Sequence, residues 1–352
     1  MPFSSAHFTR ANRLVRRLLV GRRSYQDVAT KRWELSPAEA TSTPPAIHLD
    51  GELDRVIEVQ SETSFLFEAE RLQGGVRQHS PTAVYLLEKT SLDGGAVYKG
   101  AMKHRLCEAR PVHDAPTKLE YFPEATMTTT WCSAQYFGHW LVDEQSAALA
   151  ARQLAPAVTV RRPMTPHQSQ YSEVFDLACR PVSRARFDRL LILDDVGQNR
   201  FKRERYQSMR QRVASLGTSP PPRGVWFWRG TTGAQRAPLN EPQVADLLAR
   251  RGFAILEADK MSVDQIAKAA VGARIVAGIE GSHLFHGVFT IAEGGTFLVL
   301  QPPRRFNNLI KDYADCLGLR YALMVGDDHG DGYSFDLVRL ARTLDLIEPQ
   351  LS

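Results

Sequence analysis

Residues 278–287 read Gly-Ile-Glu-Gly-Ser-His-Leu-Phe-His-Gly and follow directly on the apolar run Ala273-Arg274-Ile275-Val276-Ala277. One carboxylate, one hydroxyl, two imidazoles and three glycines therefore crowd ten residues at the end of an expected strand. Gly278 and Gly281 let the backbone turn tightly and Ser282 is placed to cap a helix over 282–289. The N–H groups of that first turn would point at an anion such as a phosphate. The glycine spacing is neither G-x-G-x-x-G nor a P-loop, and taken alone it equally describes a capped helix without a ligand. Glu280 adds a second requirement. A carboxylate beside a phosphate is unfavourable unless it accepts hydrogen bonds, and sugar or ribose hydroxyls are natural donors. Glu280 is thus a candidate for such hydroxyls and Gly281 and Ser282 for a phosphate, with His283 and His286 on the same turn.

A second constellation lies at Gln135-Tyr136-Phe137-Gly138-His139-Trp140-Leu141-Val142-Asp143-Glu144. On a helix His139 and Asp143 are four apart and share a face, so the carboxylate can orient the imidazole as a general base or recharge it. An ordinary ion pair at a helix start has the same spacing. The third is Trp226-Phe227-Trp228-Arg229 with Gln235-Arg236 and a helix opening at Asn240, its expected cap. Arg229 and Arg236 converging on one edge would suit a diphosphate; as isolated loop residues they would simply be solvated.

The elements that must position these groups are legible in outline. A chain of 352 residues is about twice a typical domain, which predicts two domains. Hydrophobic residues make up 43% and charged residues 24%, an ordinary globular balance. From Ile47 to about Leu106, short alternating runs broken by Gly74-Gly75 and Asp93-Gly94-Gly95 predict a β-rich segment of hairpins. From Trp131 the pattern becomes strand–helix alternation, with a helix over His139–Leu154 and strands at Ala157–Val160 and Arg189–Leu193. Thr218-Ser219-Pro220-Pro221-Pro222-Arg223-Gly224 cannot continue a helix or a sheet and is expected as the boundary. Alternation then resumes through Val225–Trp228, Ala254–Leu256, Arg274–Ala277 and Thr296–Leu300, the signature of a parallel sheet whose ligands sit beyond its carboxyl ends.

Residues 1–33 carry eight Lys or Arg against Asp27 alone, with Leu14, Val15, Leu18 and Leu19 between them. That composition fits a basic amphipathic helix on an anionic membrane, or a solvated leader. The net charge of +5 is otherwise modest, and no basic patch interleaved with aromatics marks a nucleic-acid surface. The four cysteines are scattered without a CxxC pair, which predicts reduced thiols rather than disulfides or zinc. The sequence holds no apolar run of 18 residues, no signal-peptide core and no Asn-x-Ser/Thr sequon, so a cytoplasmic location is expected, with peripheral contact at the inner membrane through residues 1–33.

Taken together, the ordered motifs YFGHWLVDE at 136–144, WRGTTGAQRAPLNE at 228–241 and GIEGSHLFHGVF at 278–289 resemble the glycosyltransferase family 61 proteins over residues 131 to about 321. Three positions depart from the family pattern: Gln135 for a frequent Asn, Gly138 between the aromatic pair and the histidine, and Glu280 for a frequent histidine. The resemblance implies an α/β, GT-B-like architecture: two Rossmann-like lobes facing a cleft, with a β-rich N-terminal segment. Its expected divisions are a leader and linker over 1–46, an acceptor-side lobe over 47–217, a linker over 218–224, a nucleotide-sugar lobe over 225–330, and a terminal helix within 331–352 packing back on the first lobe. It also implies an inverting transfer of a sugar from a nucleotide diphosphate donor to a glycan or glycolipid hydroxyl in bacterial capsule or lipopolysaccharide synthesis, with no cofactor. No Asp-x-Asp pair occurs, so no metal is expected and Arg229, Arg236 and the Ser282 turn must meet the diphosphate charge. On this resemblance His139 with Asp143, or Asp143 itself, is the expected base, Gly281 and Ser282 join the diphosphate contacts, and Glu280, His283 and His286 are left for the donor's sugar or ribose. A non-catalytic carbohydrate-binding or scaffold protein on the same fold is the competing reading.

Overall fold

The structure is a computed structural model and describes residues 23–108, 118–217, 220–230 and 237–350. Residues 1–22, most of the expected membrane leader, and Arg236 lie outside the described residues. In chain order the strands are β1 (Lys31–Ser36), β2 (Glu39–Thr43), β3 (Gly75–His79), β4 (Thr82–Asp93), β5 (Ala96–Lys99), β6 (Met102–Arg105), β7 (Glu120–Met127) and β8 (Ala157–Val160). They continue with β9 (Arg180–Val182), β10 (Ala185–Asp194), β11 (Gly224–Phe227), β12 (Phe253–Leu256), β13 (Ala273–Ile279), β14 (Ile291–Gln301) and β15 (Arg320–Val325). The fold is mixed α/β.

The chain divides into two compact units. The first takes the described residues of 1–37, 80–165 and 176–197, the second those of 38–79, 166–175 and 198–352. The described part of the expected linker, residues 220–224, falls inside the second unit instead of bounding it. Long-range pairing explains the difference. Ile47 extends the second unit's own sheet, its N–H donating to the Tyr321 carbonyl and its carbonyl accepting from Leu323. The helix Arg200–Ala214 is tied down there too, Arg210 donating to the carbonyls of Val288 and Ile291. The expected leader and linker over 1–46 is likewise structured at its end: β1 pairs antiparallel with β4, and β2 with β3.

In the first unit the strands run β6-β5-β4-β10-β7-β8-β9, with β1 beside β4. β10 is antiparallel to β4 and parallel to β7, so hairpins on one side meet a parallel set on the other. The β4–β5 hairpin turns on Gly94 and Gly95, both at positive φ (54° and 73°), the backbone that a two-residue hairpin requires. Leu87, Leu190, Val158 and Val182 fill the core.

In the second unit β12-β11-β13-β14-β15 are all parallel. The order is that of a doubly wound sheet, in which β11 and β13 flank the point where the winding reverses, and ligands bind outside the carboxyl ends at such a point. The sequence places Arg229 after β11 and Glu280 after β13.

The terminal helix spans Leu337–Ile347. Its Leu340, Leu344 and Ile347 join Trp226, Ala277, Leu298 and Ala322 in one core, so it packs on the second unit's sheet and not on the first lobe as expected. Apolar spacing specifies a buried face but not the surface that covers it. Truncating Leu344 to Ala is expected to cost about 2–5 kcal/mol, because a fully buried leucine leaves a cavity. Urea unfolding of the full chain checks this, and an unchanged midpoint contradicts the packing.

Candidate functional site

In the first unit the motif occupies the crossover from β7 to β8. Thr130 caps the helix Trp131–Gln135 through a reciprocal box with Ser133, and a short turn Phe137–His139 follows. The continuous helix expected from His139 is widened: Trp140–Glu144 form a π-turn, with Gln145 N–H donating to the Trp140 carbonyl, before regular helix resumes at Gln145–Ala151. Such a turn accommodates one extra residue, and π-turns recur at functional sites. His139 Nδ1 lies 2.6 Å from Asp143 Oδ2. A carboxylate only accepts, so this bond places the proton on Nδ1 and leaves Nε2 as the ring nitrogen able to take another.

The next residue faces the other way. Glu144 is 2% exposed, and its carboxylate accepts from Ser133 Oγ at 2.6 Å, Thr159 Oγ1 at 2.7 Å and Arg162 Nη2 at 2.7 Å. One buried group thereby ties the capping box, the end of β8 and the π-turn together. Sequence reasoning missed it; its only signal was a second acid beside Asp143.

In the second unit the turn after β13 is built on two glycines. A side chain at Gly278 would place its Cβ 2.5 Å from Leu284 Cδ2. Gly281 holds φ at 150°, and a Cβ there would sit 3.0 Å from Arg229 Nη1. The expected helix over 282–289 is split into a 3-10 turn, Ser282–Phe285, and the helix His286–Thr290, and no side chain caps the first. Arg229 is 8% exposed and donates through Nη1 to His283 Nδ1 at 3.3 Å. The structure therefore brings Arg229, Gly281 and His283 together. Glu280 Oε2 pairs with Arg305 Nε at 3.7 Å.

Glu241 aims the Arg229 turn: its carboxylate accepts from the backbone N–H of Arg229 at 2.6 Å and of Gly230 at 3.3 Å. Burial raises the carboxyl's pKa, and those two N–H groups oppose the rise. Asn240 occupies the cap position of the helix Glu241–Arg250 without capping it. Its amide is engaged elsewhere, accepting from Phe335 N–H at 3.0 Å and donating to the Phe335 carbonyl at 2.8 Å. His286 is 2% exposed and shares a 2.8 Å hydrogen bond between Nδ1 and the Tyr171 hydroxyl. The His167 ring meets it edge-on at 5.0 Å. Nothing in the sequence announced Tyr171 or Arg305 as partners of the turn.

Among the described residues no three His, Cys, Asp or Glu side chains are grouped to hold a metal ion. None of the four cysteines is in a disulfide. Among the described residues no helix is long and apolar enough to cross a membrane.

Residues 137–299 match the family model described as Glycosyltransferase 61. The matched stretch, a little under half of the chain, contains the His139–Asp143 pair, the Arg229 turn and the Gly278–Gly287 turn. No curated protein matches the chain.

Burial holds the His286 imidazole well below its ordinary pKa, with His167 and His283 adding to the effect. A depressed folded pKa means that the unfolded chain binds the extra proton first. His286 therefore contributes no pH dependence above about 6.5, and stability falls as pH drops below that value by up to about 1.4 kcal/mol per pH unit. In chemical denaturation at pH 8 and 5.5, His286→Gln should show a shallower loss than the unsubstituted protein. An equally steep loss contradicts the assignment.

Proposed function

We propose that the protein is an inverting glycosyltransferase that moves a sugar from a nucleotide diphosphate donor to a hydroxyl of a glycan or glycolipid acceptor, in bacterial surface polysaccharide synthesis. On this reading the two units serve the acceptor and donor roles of GT-B lobes. The observation that carries it is the 2.6 Å His139–Asp143 bond inside the segment matching the glycosyltransferase family.

The chemistry is a single displacement. His139 Nε2 takes the acceptor hydroxyl's proton while Asp143 holds the ring and steadies the imidazolium. The hydroxyl oxygen attacks the anomeric carbon from the face opposite the leaving group, the bond to the diphosphate oxygen breaks, and its electron pair leaves with the nucleotide. Arg229, Arg236 and the N–H groups of the Gly281–Ser282 turn meet that charge. Glu280 and His283 take the donor's sugar or ribose hydroxyls. His286, expected beside them as a sugar or ribose contact, is instead buried against Tyr171 and supports the turn from behind. No metal or cofactor enters this scheme, since the sequence offers no Asp-x-Asp pair. The site of action is the cytoplasm, with the basic residues 1–33 resting on the inner membrane surface.

The test is nucleotide diphosphate release from a panel of nucleotide sugars with and without glycan acceptors. Transfer with inversion at the anomeric carbon is expected, and chelator should leave its rate unchanged. His139→Ala should lower kcat by about 10²–10⁴-fold while donor affinity is retained. Sugar binding without turnover, a full rate in His139→Ala, or an activity silenced by chelator and restored by manganese contradicts the proposal.

A further inference from the structure

The first unit holds a cavity of about 130 Å³ that the scheme above does not use. Ala134 and Gln135, at the end of the helix that leads into the base motif, form one wall, and Arg161 and Arg162, leaving β8, form another. Glu108 and Ser183 complete the polar lining, and the Gly94–Gly95 turn contributes a wall without side chains. Gln135 is four residues before His139.

Arg162 is fixed in place. Beyond its bond to Glu144, its Nη1 donates to Thr129 Oγ1 and Thr159 Oγ1, each at 3.3 Å. The side chain is 15% exposed and its carboxylate partner 2%. The pair that fixes the π-turn thereby also holds the Arg162 guanidinium rigidly in the cavity wall. Arg161 anchors to the Pro181 carbonyl at 2.9 Å. The charges balance: Glu144 matches Arg162, and Glu108 stands on the lining with Arg161. What remains is a set of guanidinium, amide, hydroxyl and carboxylate groups, the donors and acceptors that pair with an uncharged polyhydroxyl ring.

We propose that this cavity binds a neutral sugar ring of the acceptor glycan, with Arg161, Arg162 and Gln135 as its contacts and Glu144 as the positioning residue that holds Arg162. The inference rests on the glycosyltransferase reading for the identity of its ligand as an acceptor. Saturation-transfer NMR on the full chain tests it with methyl glucoside and methyl galactoside as neutral probes and methyl glucuronide as the acidic one. The neutral glycosides should show transfer, and the glucuronide, facing Glu108, should bind more weakly. Ala134→Phe, which fills the cavity, and Arg161→Gln, which changes an exposed side chain, should each weaken the neutral signal by about tenfold or more. In turnover they should raise the acceptor KM while the donor KM stays in place. Should Ala134→Phe fail to fold, Arg161→Gln alone decides. Preference for the glucuronide, no binding of any probe, or an unchanged acceptor KM in Arg161→Gln overturns the cavity assignment. Neutral-sugar binding lost in the variants, in a protein that releases nucleotide from no donor, supports the cavity and overturns the transferase reading.

Discussion

Glu144 is the constraint on which the first unit's site depends. A carboxylate with almost no exposure to water is tolerable only if its oxygens are saturated with donors, and here Ser133, Thr159 and Arg162 provide them. Those donors come from three places: the capping box that starts the helical segment, the end of strand β8, and the loop beyond it. Meeting them fixes the rotation of the π-turn. With Glu144 turned inward, Asp143 faces His139, so the geometry of that pair follows from its buried neighbour. Removing one partner would strand a buried charge, at a cost of about 3–5 kcal/mol.

The second unit solves a similar problem with Glu241. Its carboxylate gathers the N–H groups of Arg229 and Gly230 and so bends the chain as it leaves β11, bringing the Arg229 guanidinium to His283 on the turn after β13. Gly281 permits the approach, having no Cβ to obstruct Nη1. Tyr171 and His286 brace the same turn from within the core. In both units, then, the groups suited to chemistry are half-exposed or lie at strand ends, and buried acids or imidazoles set their directions.

Much of this was legible in the sequence because it is local. The i, i+4 spacing of His139 and Asp143, the Gly94-Gly95 hairpin and the apolar β13 run ending in Gly278 each follow from geometry within a few residues. The parallel second sheet was legible from the alternation of short apolar runs with helical stretches after residue 224. What was not legible depends on partners distant in sequence. The π-turn has no compositional signature, because the widened turn is selected by Glu144's bonds to Thr159 and Arg162. Asn240 looked like a cap since its type and position fit one; Phe335, 95 residues away, claims its amide instead. The terminal helix showed an apolar face but not the surface that buries it, and residues 38–79 carried no mark of the unit they join.

The central claim is that His139 and Asp143 act as one unit, and a double-substitution cycle on kcat tests it most directly. If Asp143 works only by holding and steadying the His139 ring, the His139→Ala, Asp143→Ala double variant should be no slower than His139→Ala alone, as residues acting together give strongly non-additive losses. Losses that multiply, with the double variant slower by the product of the two single effects, would show two independent roles and contradict the account.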